Sequence, residues 1–392
     1  MRRYRILVAC HTLGEFNRGF EASFTQLREA FLGDEEFEII LVGGKFFDEN
    51  YHSIPKINYI HRSSWIVRLS EKLPRIRNYC LESLSFGFGL FLKLNKLLPD
   101  IVLFSQPHVA PPLKVFRRFA SKCRYILLFS NGGPSYLWYY KNWVDYTHFK
   151  APWVFNEALN DGYCSESSFL IPNGFTFHNL AEAKRSKSSP ETPLIDKSRK
   201  TIVSVAALCA EHKRMDFLIS SIRPLLESGK YQMLCIGAES RTSAKLRQQF
   251  ADLLDDGSLV FATLPQQQVR FYLEAADVFI NGSLSEGFGR AIVEAVAYSV
   301  PVILHDTGDF RWLTSNAAHF IDIESPTAVR SAIEAQAECP PSREDLLKAA
   351  EVVRARFSWT HLKSEYRSMF RQILGIEPKN NTHLEQSSAA DG

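Results

Sequence analysis

The chain has 392 residues, of which 45% are hydrophobic and 23% are charged, and its formal net charge is +3. This length is too great for one ordinary hydrophobic core but suits two α/β domains of roughly 150 to 200 residues each. No apolar run is long enough to cross a membrane, and the seven cysteines lack the spacing of metal ligands. We therefore expect a soluble, cytoplasmic, two-domain protein without a bound metal or a nucleic-acid partner.

The charge is unevenly divided between the two halves of the chain. Residues 1–199 hold 26 Lys and Arg against 19 Asp and Glu, so that half carries +7 and the remainder carries −4. A basic half favours an anionic substrate or a membrane surface, although a solvated charged face explains a difference of this modest size more readily. The basic and aromatic segment 65–97 has the same two interpretations, namely contact with the inner membrane face or ordinary helices flanking the core.

Short apolar runs in the first half predict buried parallel strands that alternate with helices. We predict strands at 5–9, 37–42, 57–61, 99–104 and 125–129. The first strand opens into a loop and a helix, and ligands of open α/β sheets gather at such strand ends. The last of these strands runs into Asn131. Residues 1–175 are therefore predicted to form the first α/β domain.

The segment 176–200 is polar and rich in Ser, Lys and Pro, which is the composition of a linker. A new strand is predicted at 201–206, followed by a loop that contains Lys213 and Arg214 and then by a helix. The sequence thus restarts a strand, loop and helix pattern after the linker.

This second α/β domain is predicted to extend over residues 201–357. A late amphipathic helix is predicted at 358–375, and the polar residues 378–392 are predicted to be disordered.

The segment 281–304 combines glycines, a helix start and two carboxylates, and it is the candidate functional segment. Gly287 and Gly289 have no side chains, so other groups can approach the backbone closely. An apolar helical pattern follows, with Ser285 as the predicted N-cap of the helix. A glycine loop at a helix N-terminus points N–H groups and the positive end of the helix dipole outward, which suits a phosphate. An ordinary strand-to-helix turn needs the same glycines, so this pattern alone is not specific.

The two carboxylates, Glu286 and Glu294, make the pattern more specific. A glycosidase would place its two carboxylates about 5 to 9.5 Å apart. Eight helical residues rise about 12 Å, so the spacing argues against that class. Two acceptors for separate hydroxyl groups, with a pyrophosphate at the helix start between them, match an extended ligand such as a nucleotide sugar.

These residues resemble the E-x7-E signature of the retaining glycosyltransferases of family 4. The signature stands here as Glu286-Gly287-Phe288-Gly289, then Glu294-Ala295-Val296-Ala297, then Ser299-Val300-Pro301-Val302. The family usually has glycine where this chain has Ser299. The resemblance implies an α/β protein of the GT-B fold, in which two Rossmann-like domains face a cleft and the second binds the donor.

The resemblance also implies roles for individual residues. Lys213, with Arg214 beside it, would neutralise the donor diphosphate. Glu286 would hold the hydroxyl groups of the donor sugar, and Glu294 would hold the ribose. The remaining donor-binding residues would be Gly287, Phe288 and Gly289.

Two positions depart from the family pattern. Ala207 stands where an arginine usually contacts the diphosphate, and Asn131 stands where a histidine usually lies near the reacting sugar. Asn131 is nevertheless the residue of this chain that the resemblance places among the catalytic positions, together with Lys213 and Glu286.

The implied function is retaining transfer of a sugar from a UDP-, GDP- or ADP-sugar to a hydroxyl group of a glycan, a lipid-linked acceptor or a small molecule. No cofactor is expected. Two alternatives remain open. One is a non-catalytic relative that binds a nucleotide sugar, and the other is a nucleotide-sugar epimerase of the same fold, which would convert the donor without any acceptor.

Overall fold

The structure is a computed structural model of the chain. It describes residues 2–13, 19–44, 55–61, 64, 78–119, 124–133, 141–177, 192–240 and 242–377. Three predictions fall partly or wholly outside these ranges: most of the linker 176–200, the basic and aromatic residues 65–77, and the tail 378–392. The chain divides into two compact units, Met1–Phe175 with Trp359–Gly392, and Thr176–Ser358.

The first unit contains a seven-stranded sheet in which neighbouring strands pair in parallel. Its strands are β1 (Tyr4–Cys10), β2 (Phe37–Gly44), β3 (Lys56–Ile57), β4 (Ile101–Phe104), β5 (Ile126–Asn131), β6 (Tyr146–Phe149) and β7 (Ser168–Leu170). Their spatial order is β3-β2-β1-β4-β5-β6-β7. The order therefore reverses between β1 and β4, which is the arrangement of a Rossmann-like fold.

Helices pack against this sheet. They are α1 (Gly19–Ala30), α2 (Asn78–Leu97), α3 (Ala110–Phe116) and α4 (Pro152–Asn160). The central strand explains why both faces of the sheet are covered. Ile6 and Val8 belong to one buried cluster, and Leu7 and Ala9 belong to another. Because successive side chains of a strand point to opposite faces, a continuous apolar run such as β1 requires two cores.

The second unit repeats this plan with a parallel sheet of six strands. They are β8 (Lys200–Val205), β9 (Tyr231–Ile236), β10 (Leu259–Ala262), β11 (Val278–Ile280), β12 (Val302–His305) and β13 (His319–Ile321). Their order, β10-β9-β8-β11-β12-β13, reverses between β8 and β11. The predicted α/β class with two parallel-sheet domains is confirmed.

The second unit also holds eight described helices. They are α5 (Met215–Glu227), α6 (Ser243–Gln249), α7 (Ala251–Asp255), α8 (Gln266–Glu274), α9 (Arg290–Ala297), α10 (Gly308–Thr314), α11 (Pro326–Glu338) and α12 (Arg343–Phe357). The end of the predicted linker packs onto this unit. The backbone N–H of Asp196 donates to Gln232 Oε1 at 2.9 Å, and Gln232 Nε2 donates to the Leu194 carbonyl at 3.0 Å.

The last described helix, α13 (Trp359–Ile373), belongs to the first unit. Its buried residues Tyr366 and Phe370 pack with Phe31 and other residues of the first core. The backbone N–H of Trp359 donates to the Phe175 carbonyl at 3.1 Å. The chain therefore leaves the first unit and returns to it at neighbouring points.

Candidate functional site

The strand order of the second sheet places two loops side by side. Residues 206–214 follow β8 and residues 281–289 follow β11, and these two strands are neighbours that stand on either side of the point where the strand order reverses. In open parallel sheets ligands bind at the carboxyl ends of the strands at such a point. The topology therefore brings the loop with Lys213 and the loop with Glu286 to the expected ligand site of this unit.

The two loops approach each other closely at Gly282. A Cβ atom at this position would lie 2.9 Å from the carbonyl oxygen of Lys213 and 3.5 Å from that of Arg214. A side chain at Gly282 would therefore push the two loops apart. Glycine at this position lets the Lys213 side chain reach the neighbouring loop.

Lys213 and Glu286 form an ion pair across the two loops. Lys213 Nζ donates to Glu286 Oε1 at 2.5 Å, and Asn281 Nδ2 donates to the same oxygen at 3.4 Å. The side chains of Lys213 and Glu286 are only 18% and 9% exposed. Asn281 is held in turn because its Oδ1 accepts from the backbone N–H of Ser283 at 2.8 Å. The carboxylate thus has a fixed position and a fixed cationic partner.

The electrostatics of this pair favour an ionised Glu286. Burial alone would raise the pKa of the Glu286 carboxyl, but the charge and hydrogen bond of Lys213 outweigh burial and lower that pKa below its usual value. His212 lies 3.9 Å from the second oxygen of the same carboxylate. Burial and the charge of Lys213 lower the pKa of His212 more than Glu286 raises it, so His212 is neutral at pH 7.

Helix α9 begins at Arg290, and Gly289 caps it with a left-handed φ of 70°. The predicted cap at Ser285 is therefore wrong, because the loop continues to Gly289 before the backbone turns helical. Phe288, a predicted donor-binding residue, is buried and packs edge-on against Phe357 with ring centroids 5.7 Å apart. The structure gives Phe288 a packing contact that fixes the loop.

Glu294 lies within α9, buried among polar partners rather than beside Lys213. Gln266 Nε2 donates to Glu294 Oε1 at 3.1 Å, and Arg290 donates to the same oxygen at 3.4 Å. Burial raises the pKa of Glu294, and Arg290 and Gln266 offset this only in part. Glu294 also helps burial raise the pKa of Tyr298 to about 12, so that phenol is neutral. The two carboxylates thus have opposite pKa shifts.

Two other positions of the first loop stand apart from the ion pair. Arg214 adopts a left-handed φ of 50°, stacks over the Phe217 ring at 4.6 Å and contacts Glu324 at 3.4 Å. Ala207 is exposed at the end of β8 and supplies no charge. In this arrangement the cation that the first loop, residues 206–214, brings to Glu286 is Lys213.

Asn131 ends β5 in the first unit, where it is 5% exposed. Its Oδ1 accepts from the backbone N–H of Gly133 at 3.0 Å. Its Nδ2 has no hydrogen-bond partner among the described residues. The amide therefore keeps a donor available at the carboxyl end of the first sheet.

Sequence reasoning missed four residues that position the predicted ones: Asn281, His212, Gln266 and Arg290. The spacing of Arg290 and Glu294, four residues apart, is a helical signal that could have indicated their contact. Nothing in the sequence links Gln266 or His212 to the carboxylates, since those contacts depend on the packing of separate elements.

Within the described residues, no cluster of three or more His, Cys, Asp or Glu side chains has the geometry of a metal site. Among the same residues, none of the helices has the length and apolar character needed to span a membrane.

Comparisons with known proteins converge on one class. Residues 199–337, which include both loops of the site, match the family model of the group 1 glycosyl transferases. A segment of 69 residues is 41% identical to the putative teichuronic acid biosynthesis glycosyltransferase TuaC of Bacillus subtilis (strain 168), over 18% of each chain. A segment of 173 residues is 29% identical to the GDP-mannose:cellobiosyl-diphosphopolyprenol alpha-mannosyltransferase of Komagataeibacter xylinus, over 42% of this chain and 44% of that protein.

The chain spans less than half of the length of these curated relatives. The solved structures extend the likeness in fold to nearly the whole chain. The sucrose-phosphate synthase of Thermosynechococcus elongatus has a TM-score of 0.73 at 16% identity and covers 96% of this chain and 100% of its own. Anabaena HepE, solved with UDP and glucose, has a TM-score of 0.70 at 13% identity and covers 94% and 99%.

The chain therefore has the GT-B fold of these solved structures, with two parallel-sheet α/β domains. The matched segment is therefore similar to the group 1 glycosyl transferases, and the curated relatives are named as a glycosyltransferase and a mannosyltransferase.

Proposed function

We propose that this protein is a retaining glycosyltransferase that moves a sugar from a nucleoside diphosphate sugar to a hydroxyl group of a lipid-linked saccharide. One observation carries the proposal. Lys213 and Glu286 are 73 residues apart in the sequence, yet they form a nearly buried ion pair where the order of the second sheet reverses. Both residues lie in the segment that matches the glycosyltransferase family.

The chemistry of sugar transfer explains why a cation stands there. Departure of the nucleoside diphosphate builds negative charge on the leaving phosphate. A fixed ammonium group stabilises that charge most where water is largely excluded, and such preorganised electrostatics is usually the largest single contribution to catalysis. Lys213 Nζ would interact with the leaving diphosphate, and the N–H groups at the start of α9 would assist.

Glu286 and Glu294 have different functions in this proposal. The ionised Glu286 would accept hydrogen bonds from the donor sugar, and the buried Glu294 would accept hydrogen bonds from the ribose. Asn131 keeps the catalytic part that the resemblance implies, through its amide donor. Retention would follow from attack on the same face that the diphosphate leaves, with the leaving phosphate accepting the acceptor proton. No cofactor or metal has a part in this reaction.

The acceptor is proposed from the curated relative that matches the longest segment. The Komagataeibacter xylinus protein is named for transfer from GDP-mannose to a cellobiosyl-diphosphopolyprenol. We propose an acceptor of the same chemical class, a saccharide carried on a lipid diphosphate, and action at the cytoplasmic face of the membrane. GDP-, UDP- and ADP-sugars remain the donors to compare.

A double-mutant experiment tests the function of the pair. Lys213→Ala is expected to reduce transfer about 10²- to 10³-fold, as removal of one transition-state contact does in other enzymes. The variant leaves the Glu286 carboxylate without its cation, so the free energy of unfolding falls by about 2 kcal/mol. Lys213→Ala with Glu286→Gln should recover much of that stability but none of the activity.

A matched control exists at the opposite ends of the same strands. Lys200 Nζ contacts Asp277 Oδ1 at 2.9 Å where β8 and β11 begin, so Lys200→Ala removes an ion pair that joins the same elements away from the site. Its transfer rate should equal that of the wild type. Recovery of both stability and transfer in the double variant would show that the Lys213 pair is only structural and would refute the proposal.

The anomeric configuration of the product, read from its proton NMR spectrum, tests retention separately.

One observation favours a second function, because Ala207 leaves the first loop with one cation fewer than the family pattern has. Donor binding detected by calorimetry, with neither transfer nor hydrolysis across UDP-, GDP- and ADP-sugars, would favour a non-catalytic nucleotide-sugar-binding protein. Donor conversion without an acceptor would favour an epimerase.

A further inference from the structure

The first unit exposes apolar side chains on adjoining elements. Phe88 and Leu92 on α2 are 46% and 66% exposed, and Phe119, just after α3, is 58% exposed. Phe116 joins them, since its ring centroid lies 5.8 Å from that of Phe88 and 6.2 Å from that of Phe119. Leu92 lies one helical turn beyond Phe88. We call these exposed residues, Phe88, Leu92 and Phe119, the apolar patch.

Basic residues border the apolar patch. Lys96 is exposed one turn beyond Leu92 on α2, and the exposed Arg118 stacks its guanidinium over the Phe119 ring at 5.0 Å. Between residues 83 and 144 the sequence holds eight Lys and Arg but only one acidic residue, Asp100. The side chain of Asp100 lies 3.2 Å from Arg2. Lys114 and Arg117 are paired with Asp145, whereas Lys96 and Arg118 border the apolar rings as exposed cations.

We propose that this face of the first unit binds the surface of an anionic lipid bilayer. A globular protein seldom leaves two phenylalanines and a leucine exposed together without a partner. A protein partner would have to bring acidic groups around an apolar centre, whereas a bilayer with anionic headgroups provides both properties at every point of its surface. Aromatic and aliphatic side chains enter the headgroup region, and Lys and Arg on the border bind the headgroups.

Vesicle flotation with the full-length protein tests this inference. The wild type should float with vesicles of 70% phosphatidylcholine and 30% phosphatidylglycerol, and binding should weaken between 0.1 M and 0.5 M salt. Phe88→Ser with Leu92→Ser should lower vesicle affinity about tenfold or more, because two half-exposed apolar groups lose their burial in the membrane. Lys96→Glu with Arg118→Glu should lower it about tenfold or more through lost headgroup attraction.

The matched control is Val352→Ser with Lys348→Glu. It removes an exposed apolar group and an exposed charge from α12 of the second unit, where the two side chains are 53% and 65% exposed. This variant should float like the wild type. Circular dichroism and thermal melting of every variant separate loss of binding from loss of fold.

Three results would overturn the inference. The first is no flotation with anionic vesicles at 0.1 M salt, and the second is equal flotation of the patch variants and the control. The third is a concentration-dependent dimer that the patch variants abolish, which would assign the patch to a second copy of this chain. The assay contains no sugar donor, so its outcome and that of the transfer assay are independent.

Discussion

The two units share one strand plan and differ in what stands at the ends of their strands. In each unit the sheet order reverses beside the central strand, between β1 and β4 and between β8 and β11. Each also has a glycine at the same place. A Cβ atom on Gly44, one residue past the last register pair of β1 and β2, would overlap the His11 carbonyl. A Cβ atom on Gly237, one residue past the last register pair of β8 and β9, would overlap the Ala206 carbonyl.

The chemistry at the two points of reversal is different. In the first unit Thr12 Oγ1 donates to Glu21 Oε1 at 2.7 Å, and Gln106 Nε2 donates to Thr12 Oγ1 at 3.4 Å, all of them buried. Burial, with a smaller effect of Glu21, raises the pKa of the neighbouring Cys10 thiol to about 12, so this thiol is neutral. The second unit holds the Lys213 and Glu286 ion pair instead. The two units therefore share one topology and differ in the side chains at the point of reversal, which are hydrogen-bonded polar groups in the first unit and an ion pair in the second.

The largest effect is expected from the shared glycines. Gly237→Ala and Gly44→Ala should each lower the free energy of unfolding by about 3 kcal/mol, because an added Cβ meets rigid backbone in the neighbouring strand segment. Chemical denaturation measures this. Gly132→Ala and Gly308→Ala are the controls, since nothing lies within 4 Å of the Cβ that either adds. Equal free energies of unfolding for all four variants would contradict the prediction that both units require glycine at this position.

Thr12→Val sharpens the chemical contrast. It removes the hydroxyl that donates to Glu21 while keeping the volume of the side chain. We expect the free energy of unfolding to fall by about 1 to 2 kcal/mol, because the buried carboxylate loses a hydrogen bond. Donor affinity, measured by calorimetry, should not change. A weaker donor affinity in Thr12→Val would mean that the first unit also contributes to the donor site.

Glu294→Gln tests the raised pKa of that carboxyl. A carboxyl whose folded pKa exceeds its unfolded value favours folding most below the unfolded pKa, and this contribution is lost as the pH rises through the folded pKa. The variant should therefore gain stability relative to the wild type as the pH rises above the unfolded pKa of about 4.5. Donor affinity should fall about tenfold through loss of a charged acceptor. If the difference in the free energy of unfolding between variant and wild type stayed constant as the pH rises, burial would not raise the pKa of Glu294.

Ser299→Gly is expected to have the smallest effect. Ser299 follows α9 with a left-handed φ of 60°, a conformation that disfavours residues with a Cβ. Glycine should raise the free energy of unfolding by about 0.5 kcal/mol, the strain relieved being partly offset by greater freedom of the unfolded chain. Ser299→Ala, which keeps the Cβ, should give no gain in thermal denaturation.

Much of the fold follows from sequence patterns alone. The predicted strands correspond to β1, β2, β4, β5 and β8 within one or two residues at most bounds, because each is a buried apolar run. The third strand, predicted at 57–61, is only the pair Lys56–Ile57. The patterns do not predict β6, whose sequence Tyr146–Phe149 mixes polar and aromatic residues although most of it is buried. Burial of polar strand residues depends on neighbours that a single strand does not reveal.

The sequence predicts the candidate site less completely than it predicts the fold. Glycines and glutamates near a helix start marked the loop at 281–289, but the contact between Lys213 and Glu286 depends on two strands being neighbours. The left-handed backbone of Arg214 and Ser299 has no sequence signal of its own, since serine and arginine rarely adopt it. Those two residues stand where local preference and the fold disagree.

The hydrogen bond between Trp359 and Phe175 has a consequence for synthesis. The first unit needs Trp359, Tyr366 and Phe370 to complete its core, and these residues emerge from the ribosome after the whole of the second unit. The second unit, Thr176–Ser358, is a continuous insertion that can finish folding first. The unit that begins the polypeptide is therefore the last to close, because its core over α1 is complete only after α13 has been added.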